Sequence, residues 1–285
     1  MPGPLLAVDA PSLLYRAYHA LPDSIRGPNG PVNALLGTTN MLLAIVLERG
    51  PRAVVLCSGP DAARYRTELY PPYHAHRPEV PPDLERQFGE APAFFEAFDW
   101  TWADDDELEA DDLLGSYAHA EVEADGSAEI VTGDRDLFQC AADDVTVLYV
   151  RTGVKGYETV DAADVQRRYG VPPALVPDFI ALRGDPSDGL PGARGVGEKT
   201  AAELLRTHGS LEAALDAWSR VRPARVAGAL RDQRDEVLMF KDIATLRRKA
   251  VERPADAPTD FRGGARAART AGMDRLARRL DELDG

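Results

Sequence analysis

A short acidic run could bind cations or phosphate esters. Residues 104 to 112 carry seven carboxylates in nine positions and lead directly into paired leucines. We predict a helix that begins near position 106 or 107, on which Glu109 and Asp112 share one face and Asp111 flanks them. Acids in a first turn also complement the helix dipole, and charge runs are usually solvated. The run alone leaves both interpretations open.

Further acidic residues follow predicted strands or stand in sharp loops. They are Asp9 after LLAV, Asp61 after AVVL, Asp134 and Asp136 in VTGDRDLF, and Asp185 and Asp188 in LRGDPSDGL. Because the carboxyl ends of parallel strands meet at one crevice, we expect several of these acids to converge there. Crowded carboxylates in a cleft raise one another's pKa unless a cation lies between them. A ligand set made only of oxygen favours Mg²⁺ or Mn²⁺ over Zn²⁺.

The chemistry that such a site favours is phosphodiester hydrolysis. Mg²⁺ keeps several waters and takes phosphate oxygens as its other ligands. Two such ions about 4 Å apart activate a water and stabilise the leaving oxygen in an in-line displacement. No protein nucleophile is then needed.

A glycine-rich stretch, LPGARGVGEKTAAELL at 190 to 205, predicts a tight turn followed by a helix that begins near Glu198. It lacks the adjacent Gly-Lys of a nucleotide-binding P-loop, so we reject that interpretation. Backbone amides at a helix N-terminus still form an anion cradle, to which Lys199 and Thr200 add contacts. The alternative is that the glycines only satisfy the geometry of the turn.

The elements that must position these residues alternate between strands and helices. Apolar runs at 5–9, 53–57, 129–134 and 145–150 are separated by helical patterns, which predicts a parallel α/β sheet. The proline-rich segment 64–92 breaks this rhythm and predicts an excursion over the surface. From residue 160 onward the pattern is helical, apart from a Pro/Asp/Gly-rich stretch at 252–264 before a last helix at 273–283. We predict an α/β domain at 1–159 and a helical subdomain at 160–285.

Composition taken alone argues against nucleic acid, because the net charge of the 285 residues is -14. The cations, however, are 29 Arg and only 4 Lys, with many Arg after residue 150. Genome composition explains much of this preference, although Arg also suits phosphate contacts. The most apolar stretch, 33–47, is shorter than the roughly 20 residues of a membrane span and predicts a core helix. Two cysteines without metal or redox spacing, and no export segment, indicate a cytoplasmic protein without membrane association.

Three motifs taken together resemble the 5′ nuclease family. EADDLL, VTGDRDLF and ALRGDPSDGLPGARGVGEKTAAELL occur in the order and spacing found in the 5′-3′ exonuclease domain of bacterial DNA polymerase I, its free-standing relatives and the flap endonucleases. The resemblance runs from Asp9 to about Leu246. It implies a PIN-like, mainly parallel sheet flanked by helices, a helical arch at 64–92, and a helix-three-turn-helix (helix-hairpin-helix) motif that grips duplex DNA, often with K⁺.

The resemblance also implies roles for individual residues. The implied metal ligands are Asp9, Glu109, Asp111, Asp112, Asp134, Asp136, Asp185 and Asp188. The implied catalytic residues are Arg16, His74 and Arg77, and the implied DNA contacts are Tyr73, Gly192, Arg194, Gly195, Gly197, Lys199 and Thr200. Ser187 is the implied K⁺ ligand. The plainer alternatives are an exposed cation for Arg16, a turn serine for Ser187, and a mobile, solvated loop for 73–77.

The sequence departs from the family pattern at three positions. Cys57 stands where the family usually has a ligand Asp, so we assign that role to Asp61, four residues on. His74 replaces a lysine that assists catalysis, and because neutral histidine supplies less charge, a slower enzyme or one favoured by slightly acid pH is expected unless Arg77 compensates. Gly189 replaces the usual Asn. The run Asp104 to Glu107 is expected to be exposed, with no assigned function.

We therefore predict a monomeric, metal-dependent 5′-3′ exonuclease or flap endonuclease. Its substrate is DNA with a 5′ single-stranded end, flap or overhang, including RNA-primed DNA, in replication and repair. One alternative is a DNA-structure-binding protein whose nuclease site has decayed, which Cys57 and His74 motivate. Another is a PIN-like ribonuclease, which shares the acidic site but does not need the hairpin.

Overall fold

The computed structural model describes residues 3–151 and 156–285. The strands are β1 (Leu5–Asp9), β2 (Arg26–Gly27), β3 (Gly30–Pro31), β4 (Ala53–Cys57), β5 (Thr101–Ala103), β6 (Ala128–Thr132), β7 (Val145–Tyr149) and β8 (Glu158–Val160). The helices of the first half are α1 (Ala10–Ala20), α2 (Asn33–Arg49), α3 (Arg64–Leu69), α4 (Pro82–Glu96) and α5 (Ala110–Glu123). Those that follow are α6 (Ala162–Tyr169), α7 (Val176–Arg183), α8 (Glu198–His208), α9 (Leu211–Asp216), α10 (Ala224–Asp232), α11 (Arg234–Ala244), α12 (Phe261–Thr270) and α13 (Asp274–Asp284).

The central sheet has six strands in the order β5-β4-β1-β6-β7-β8. The first five are parallel, and β8 pairs antiparallel with β7 at one edge. This confirms the predicted mainly parallel sheet. From β1 the chain moves outward through β4 to β5 and then returns to place β6 on the other side of β1. The carboxyl ends of β1 and β6 therefore flank the topological switch point, where ligands bind in open α/β sheets.

Alternation along the strands divides the core between the two faces of the sheet. In β1, Leu5 and Ala7 pack on the face that carries α5 and helices α6 to α11. Leu6 and Val8 pack on the opposite face, with α1, α2, α4, α12 and α13. Since both faces are covered, the central strands are almost continuously apolar, as parallel sheets require. The predicted core helix at 33–47 is α2, most of which is buried.

The segment 64–92 lies largely at the surface, as predicted, but it is not irregular. Most of it is helical, in α3 and α4, and Arg66, Leu84 and Gln87 are buried. The Gln87 Oε1 accepts hydrogen bonds from the backbone N of Ala34, at 2.8 Å, and of Leu35, at 3.3 Å. These bonds cap α2, which has no side-chain cap of its own. The prolines do not prevent these helices, because proline at a helix N-terminus is compatible with a helix.

The C-terminal helices return to the first half of the chain. Helix α12 was not predicted, because the sequence there contains adjacent glycines. A Cβ on Gly264 would lie 2.2 Å from the Phe98 ring, and one on Gly263 would lie 2.0 Å from the carbonyl oxygen of Ala97. Close packing therefore requires both glycines. The division at residue 159 stays a prediction. Among the described residues, none of the helices has the length and apolar composition needed to cross a membrane.

Candidate active site

Six acidic residues line one cavity of about 1020 Å³ at the switch point of the sheet. We call it the acid cavity, and its acidic residues are Asp9, Asp61, Glu109, Asp111, Asp134 and Asp188. They come from the end of β1, the loop after β4, the start of α5, the turn after β6 and the loop after α7. Residues far apart in the sequence are thus brought to a single site.

Two of these acids are joined through a threonine at the end of β6. The Thr132 hydroxyl donates to Asp9 Oδ2 at 2.7 Å and accepts from the backbone N of Asp134 at 2.9 Å. The backbone N of Ser12 donates to Asp9 Oδ1 at 3.0 Å and caps α1. The positions of Asp9 and Asp134 are therefore set by the ends of adjacent strands.

Four acids of this region, Asp9, Asp111, Asp134 and Asp136, have raised pKa values. Burial raises the pKa of Asp9, and burial together with the charges of Asp134 and Asp9 raises that of Asp111 well above its usual range. Burial, with Asp188 nearby, raises the pKa of Asp134 to about 6. Burial and the neighbouring Asp134 raise the pKa of Asp136 as well. Without a cation, the site thus opposes ionisation of these four carboxyl groups.

A hard divalent cation fits this donor set. All the acidic donors are carboxylates, and Asp111 accepts no hydrogen bond from any residue within 3–151 or 156–285, so its oxygens are available to a ligand. In those ranges, no three His, Cys, Asp or Glu side chains are already placed around one point to hold an ion. The arrangement matches Mg²⁺-type ligation, in which water and phosphate oxygens complete the shell, better than an all-protein cage.

The raised pKa of Asp134 predicts a change in stability with pH. A carboxyl group whose pKa is higher when folded, here about 6 against 3.8, stabilises the fold fully below pH 3.8 and loses that contribution as pH rises through 6. In chelating buffer at pH 8, Asp134→Asn should therefore raise the free energy of unfolding by about 1 to 2 kcal/mol, a discounted value because Asp134 is only half-buried. Thermal unfolding should show a gain of about 2 to 6 °C.

The matched control for this prediction is Asp143→Asn, which removes an exposed acid close by in the sequence. Its melting temperature should be unchanged at both pH 4 and pH 8. An equal gain for the two variants at pH 8 would point to the overall net charge instead of the acid cavity.

Asp112 was predicted to ligate a metal, and the structure contradicts this. It is fully buried, and both carboxylate oxygens accept hydrogen bonds within the protein. The helix also begins later than predicted, at Ala110, with Glu109 as its N-cap. Upstream, the backbone N atoms of Glu107 and Leu108 each donate to Asp105 Oδ1 at 2.8 Å, which breaks the helix there.

Two further predicted ligands, Asp136 and Asp185, do not line the acid cavity. Both lie near Asp134. The charge of Asp185 raises the pKa of Asp134, and the charge of Asp134 raises the pKa of Asp136. Asp185 Oδ1 accepts from the backbone N of Ser187 at 2.8 Å and from the Ser187 hydroxyl, and Asp185 Oδ2 accepts from Arg183 at 3.2 Å. The Ser187 oxygen is therefore directed towards a carboxylate.

The loop at 70–81 closes over the acid cavity. Tyr73 and His74 are buried, so the interpretation of this stretch as a solvated loop is wrong for these two residues. The Tyr73 hydroxyl donates to Glu109 Oε2 at 3.0 Å, and its ring stacks on the His74 ring at 3.8 Å. His74 Nε2 lies 3.0 Å from Asp188 Oδ1. In this conformation the Tyr73 ring is covered by protein, so stacking on a base requires the loop to move.

His74 adopts a strained backbone conformation, with φ at +55°. A left-handed residue other than glycine is uncommon, and such residues persist where their surroundings hold them. Here His74 Nδ1 lies 2.5 Å from the carbonyl oxygen of Asp61, while the backbone N donates to Asp188 O at 3.3 Å. The loop is thus fixed on both sides of the cavity.

Asp61 and Arg77 form the rim of the cavity. The Asp61 side chain is 66% exposed, and its Oδ1 accepts from Arg77 at 2.7 Å. Arg77 also reaches Asp188 Oδ1 at 3.3 Å. Cys57 lies fully buried beneath, where burial and the charges of Asp9 and Asp111 raise the pKa of its thiol. Asp61 thus reaches the cavity only at its edge, where its carboxylate is paired with the Arg77 guanidinium.

Arg16 lies in the cavity wall. Its Nη1 donates to the carbonyl oxygen of Arg151 at 2.7 Å, and its Nη2 lies so near Gly133 that a Cβ there would come within 2.1 Å. The guanidinium is thus held against the turn that carries Asp134. This is the position from which a cation can meet a phosphate in the cavity.

The predicted hairpin joins α7 to α8 and presents one exposed surface. We call it the hairpin surface, and its residues are Arg194, Gly195, Gly197, Lys199 and Thr200. Gly197 caps α8 without a side-chain hydrogen bond, so the first amides of the helix are free to bind anions. Gly192 has φ at +68°, and a Cβ on it would lie 2.4 Å from Gly184 N. It therefore shapes the turn from inside and is buried.

Gln233 and Arg225 lie next to the hairpin. The backbone N and the side chain of Arg194 donate to Gln233 Oε1, at 2.8 and 3.1 Å. The exposed Arg225 guanidinium lies beside Gly195, where a Cβ would be 3.4 Å away. Gly189 has φ at +76°, a conformation that both Asn and Gly tolerate, which explains this departure from the family pattern.

Sequence reasoning missed several residues of the site. They are Ser12, Arg66, Thr132, Gln139 and Arg225. Most are common polar residues outside the motifs, and Arg66, Gln139 and Arg225 act through contacts that join distant segments. Thr132 lies within VTGDRDLF, and Ser12 makes a local contact with Asp9.

Two family models match the chain. The 5′-3′ exonuclease, N-terminal resolvase-like domain matches residues 4–170, and the 5′-3′ exonuclease, C-terminal SAM fold matches residues 171–261. A 5′-3′ exonuclease of Streptomyces coelicolor is 38% identical over 91% of this chain and 89% of its own length. A 5′-3′ exonuclease of Mycobacterium tuberculosis is 38% identical over 74% of this chain and 73% of its own length.

The chain spans about a quarter of another relative. DNA polymerase I of Mycobacterium bovis is 37% identical over 85% of this chain but only 27% of the polymerase.

Solved structures share the fold. A bacteriophage T5 5′-exonuclease has a TM-score of 0.68 at 14% identity, covering 99% of this chain and 100% of that one. A T5 flap endonuclease in a pseudo-enzyme-product complex with DNA and metal ions has a TM-score of 0.70 at 16% identity, covering 98% of each chain. The catalytic core of Rad2 in complex with DNA substrate has a TM-score of 0.63 at 16% identity, covering 98% and 93%.

Proposed function

Because this chain belongs to the 5′-3′ exonuclease and flap endonuclease family, we propose that it hydrolyses phosphodiester bonds of DNA at 5′ ends, 5′ overhangs and flaps and leaves a 5′ phosphate. The observation that carries the proposal is the convergence of six acids on one cavity at the switch point of the sheet. The hairpin surface supplies a separate phosphate-binding region. Phosphodiester hydrolysis and binding of the DNA backbone would thus take place at different sites.

The carboxylates of Asp9, Asp111 and Asp134, with Glu109 and Asp188 beside them, would hold two divalent cations, Mg²⁺ or Mn²⁺, that supply an activated water and offset charge at the scissile phosphate. Arg16 in the cavity wall contributes a fixed positive charge for the same phosphate. Arg77 serves a similar role from the rim, once DNA displaces its contacts with Asp61 and Asp188.

The loop at 70–81 controls access to the cavity. His74 lies between the Asp61 carbonyl and the Asp188 carboxylate, and Tyr73 covers Glu109. We propose that entry of a single strand releases the two rings, which frees Tyr73 to stack on a base and lets His74 donate to the phosphate. The loop then excludes bulk water from the reaction.

The hairpin surface would bind the backbone of the duplex part of the substrate. The free amides of the first turn of α8 and the Lys199 ammonium are suited to phosphate oxygens. The proposal also includes a K⁺ ion near Ser187 and RNA-primed substrates. It further includes a monomeric state and a role in replication and repair. Although the net charge is -14, six of the acidic residues line the acid cavity, where divalent cations would offset their charge.

The decisive experiment compares labelled 5′-flap, 5′-overhang and blunt DNA, each with Mg²⁺, Mn²⁺ or a chelator. We expect cleavage of the first two substrates that the chelator abolishes. If no product forms from flap DNA with Mn²⁺ at high protein concentration, the chain binds DNA structures without cutting them. Preferential cleavage of single-stranded RNA would indicate a PIN-like ribonuclease.

Charge removal on the hairpin surface should weaken duplex binding without changing the chemical step. We expect Lys199→Ala to raise the Kd for duplex DNA about 3- to 10-fold and to reduce the slope of log K against log salt by about one. The turnover number at saturating substrate should stay within 2-fold. Fluorescence anisotropy over a salt series, with parallel single-turnover assays, measures both.

Arg206→Ala is the matched control for Lys199→Ala. Arg206 is an exposed cation on the same helix, seven residues further from the hairpin. Its loss should leave the salt slope nearly unchanged. Equal effects of the two variants would show that the net charge of the chain, not the hairpin surface, governs binding.

A further inference from the structure

Asp112 occupies a metal-ligand position of the family motif but faces away from the acid cavity. Its Oδ1 accepts from Arg66 Nη2 at 2.9 Å and from the backbone N of Arg247 at 2.8 Å. Its Oδ2 accepts from Arg66 Nη1 at 3.1 Å, Tyr65 OH at 3.0 Å and Glu109 N at 3.2 Å. A carboxylate offers about four lone-pair directions, so these five bonds leave none for a cation.

Arg66 connects the same turn of α5 to the C-terminal half of the chain. It is 3% exposed, and besides Asp112 it lies 3.0 Å from Glu109 Oε2. Its Nε donates to the carbonyl oxygen of Ile243, in the last turn of α11, at 3.0 Å. One guanidinium thus joins an acid of the cavity wall to the end of a distant helix.

The chain that follows α11 makes a second connection of this kind. Gln139 Nε2 donates to Ala244 O at 3.0 Å, and Gln139 Oε1 accepts from Leu246 N at 3.1 Å. The same amide donates to the carbonyl oxygen of Asp136 at 2.9 Å. Gln139 therefore attaches the turn that carries Asp134 and Asp136 to the end of α11.

The two connections meet on five consecutive residues, Ile243 to Arg247, which we call the tie segment. Four of its backbone groups bind the side chains of Arg66, Gln139 and Asp112. Because these groups lie where α11 ends, they lack helical partners and must find others. The side chains that bind them belong to or contact the two acidic elements of the cavity, the first turn of α5 and the turn after β6.

We propose that the tie segment sets the separation between the first turn of α5 and the turn after β6, with Arg66, Asp112 and Gln139 as positioning residues. The inference rests on the proposed function, because it concerns the spacing of carboxylates that hold divalent cations. Asp112 then acts through Arg66 and the tie segment, and Asp111 and Asp134 are the residues that contact the ions. Partners of ligating groups commonly change metal affinity or activity 10- to 100-fold when they are replaced.

The test uses Gln139→Met, which keeps the volume but removes the amide bonds, together with Asp112→Asn and Arg66→Lys. Binding of Mn²⁺ alone is measured by electron paramagnetic resonance without DNA, and kcat and KM are measured on 5′-flap DNA. For Gln139→Met we expect Mn²⁺ affinity to fall about 10-fold and kcat to fall 10- to 100-fold, with KM and duplex affinity within 3-fold. Added Mn²⁺ should restore part of kcat, which a general loss of folding would not allow.

Thr245→Val is the matched control within the tie segment. Its hydroxyl donates to Lys241 O at 2.6 Å and contacts neither acidic element. Mn²⁺ affinity and kcat should therefore stay within 2-fold of wild type. The melting temperatures of all variants distinguish misplaced ligands from unfolding. If Asp112→Asn does not fold, Gln139→Met still tests the proposal, because Gln139 is partly exposed.

Two results would overturn the proposal. One is wild-type Mn²⁺ affinity and kcat in Gln139→Met. The other is a loss of Mn²⁺ affinity in Asp112→Asn as large as in Asp111→Asn while Gln139→Met is unchanged, which would make Asp112 a direct ligand. A wild-type chain that binds Mn²⁺ but cleaves no substrate refutes the proposed function alone, and Mn²⁺ binding by the variants still decides the positioning role.

Discussion

Replacing Asp134 with Ala is expected to reduce divalent-cation-dependent cleavage of 5′-flap DNA at least about 10³-fold, equivalent to about 4 kcal/mol of transition-state stabilisation. Asp134 lies in the turn after β6, where Thr132 connects it to Asp9 across the switch point. Its carboxylate is the group of that turn that reaches the acid cavity. Removal leaves one side of the cavity without a ligand, so charge compensation at the phosphate is lost. Single-turnover cleavage with Mg²⁺ and with Mn²⁺ measures the effect.

Binding to branched DNA should be nearly unchanged in the same variant, within about 3-fold, since the hairpin surface supplies phosphate contacts independently of the cavity. Asp143→Ala, which removes an exposed acid, should cleave at the wild-type rate. Full activity of Asp134→Ala would refute the assigned site. Full loss of binding would instead show that the cavity and the hairpin surface do not act separately.

The parallel sheet and much of the acid cavity could be predicted from the sequence. Strand runs such as LLAVD are buried on both faces, which gives a strong apolar signal, and acids directly after them must lie at the carboxyl edge of the sheet. Asp9 and Asp134 follow from this rule. The glycines of the hairpin could also be predicted, because Gly192 and Gly195 adopt positive φ angles that other residues avoid.

The orientation of acids within one turn could not be predicted in the same way. Asp111 and Asp112 are adjacent and chemically identical, yet one faces the cavity and the other binds Arg66. Periodicity could not separate them, because α5 begins at Ala110 and not near residue 106. The start is set by the Asp105 side chain and by long-range bonds to Arg247, which no local pattern encodes.

The closed loop at 70–81 and helix α12 were missed for a related reason. Proline and glycine usually mark exposed turns, and the loop contains prolines while α12 contains adjacent glycines. Here tertiary contacts reverse that preference, since His74 is held by Asp61 and Asp188, and Gly264 allows the Phe98 ring to approach. The conformations of His74 and Gly264 thus depend on contacts with residues that are far away in the sequence.

Loss of Glu121 is expected to have the largest effect on stability. Glu121, near the end of α5, and Arg52, just before β4, form an ion pair whose side chains are 1% and 2% exposed. Arg253 Nε also donates to Glu121 Oε2 at 2.8 Å, and Arg52 Nη1 donates to the carbonyl oxygen of Pro254 at 2.7 Å. This network fixes the chain that leads from the tie segment to α12.

Glu121→Ala would leave the buried Arg52 guanidinium with only Asp256 and a carbonyl oxygen, and an uncompensated buried charge costs about 3 to 5 kcal/mol. The melting temperature should fall on the order of 10 °C. Glu123→Ala is the control, because its side chain is 69% exposed on the same helix and, among the described residues, pairs only with His119. Apolar replacement of both partners, Arg52→Met with Glu121→Leu, should recover much of the loss, since neither charge then remains buried alone. If the double variant were as unstable as Glu121→Ala, the network would act by holding residues 253–256 in place, not by neutralising Arg52.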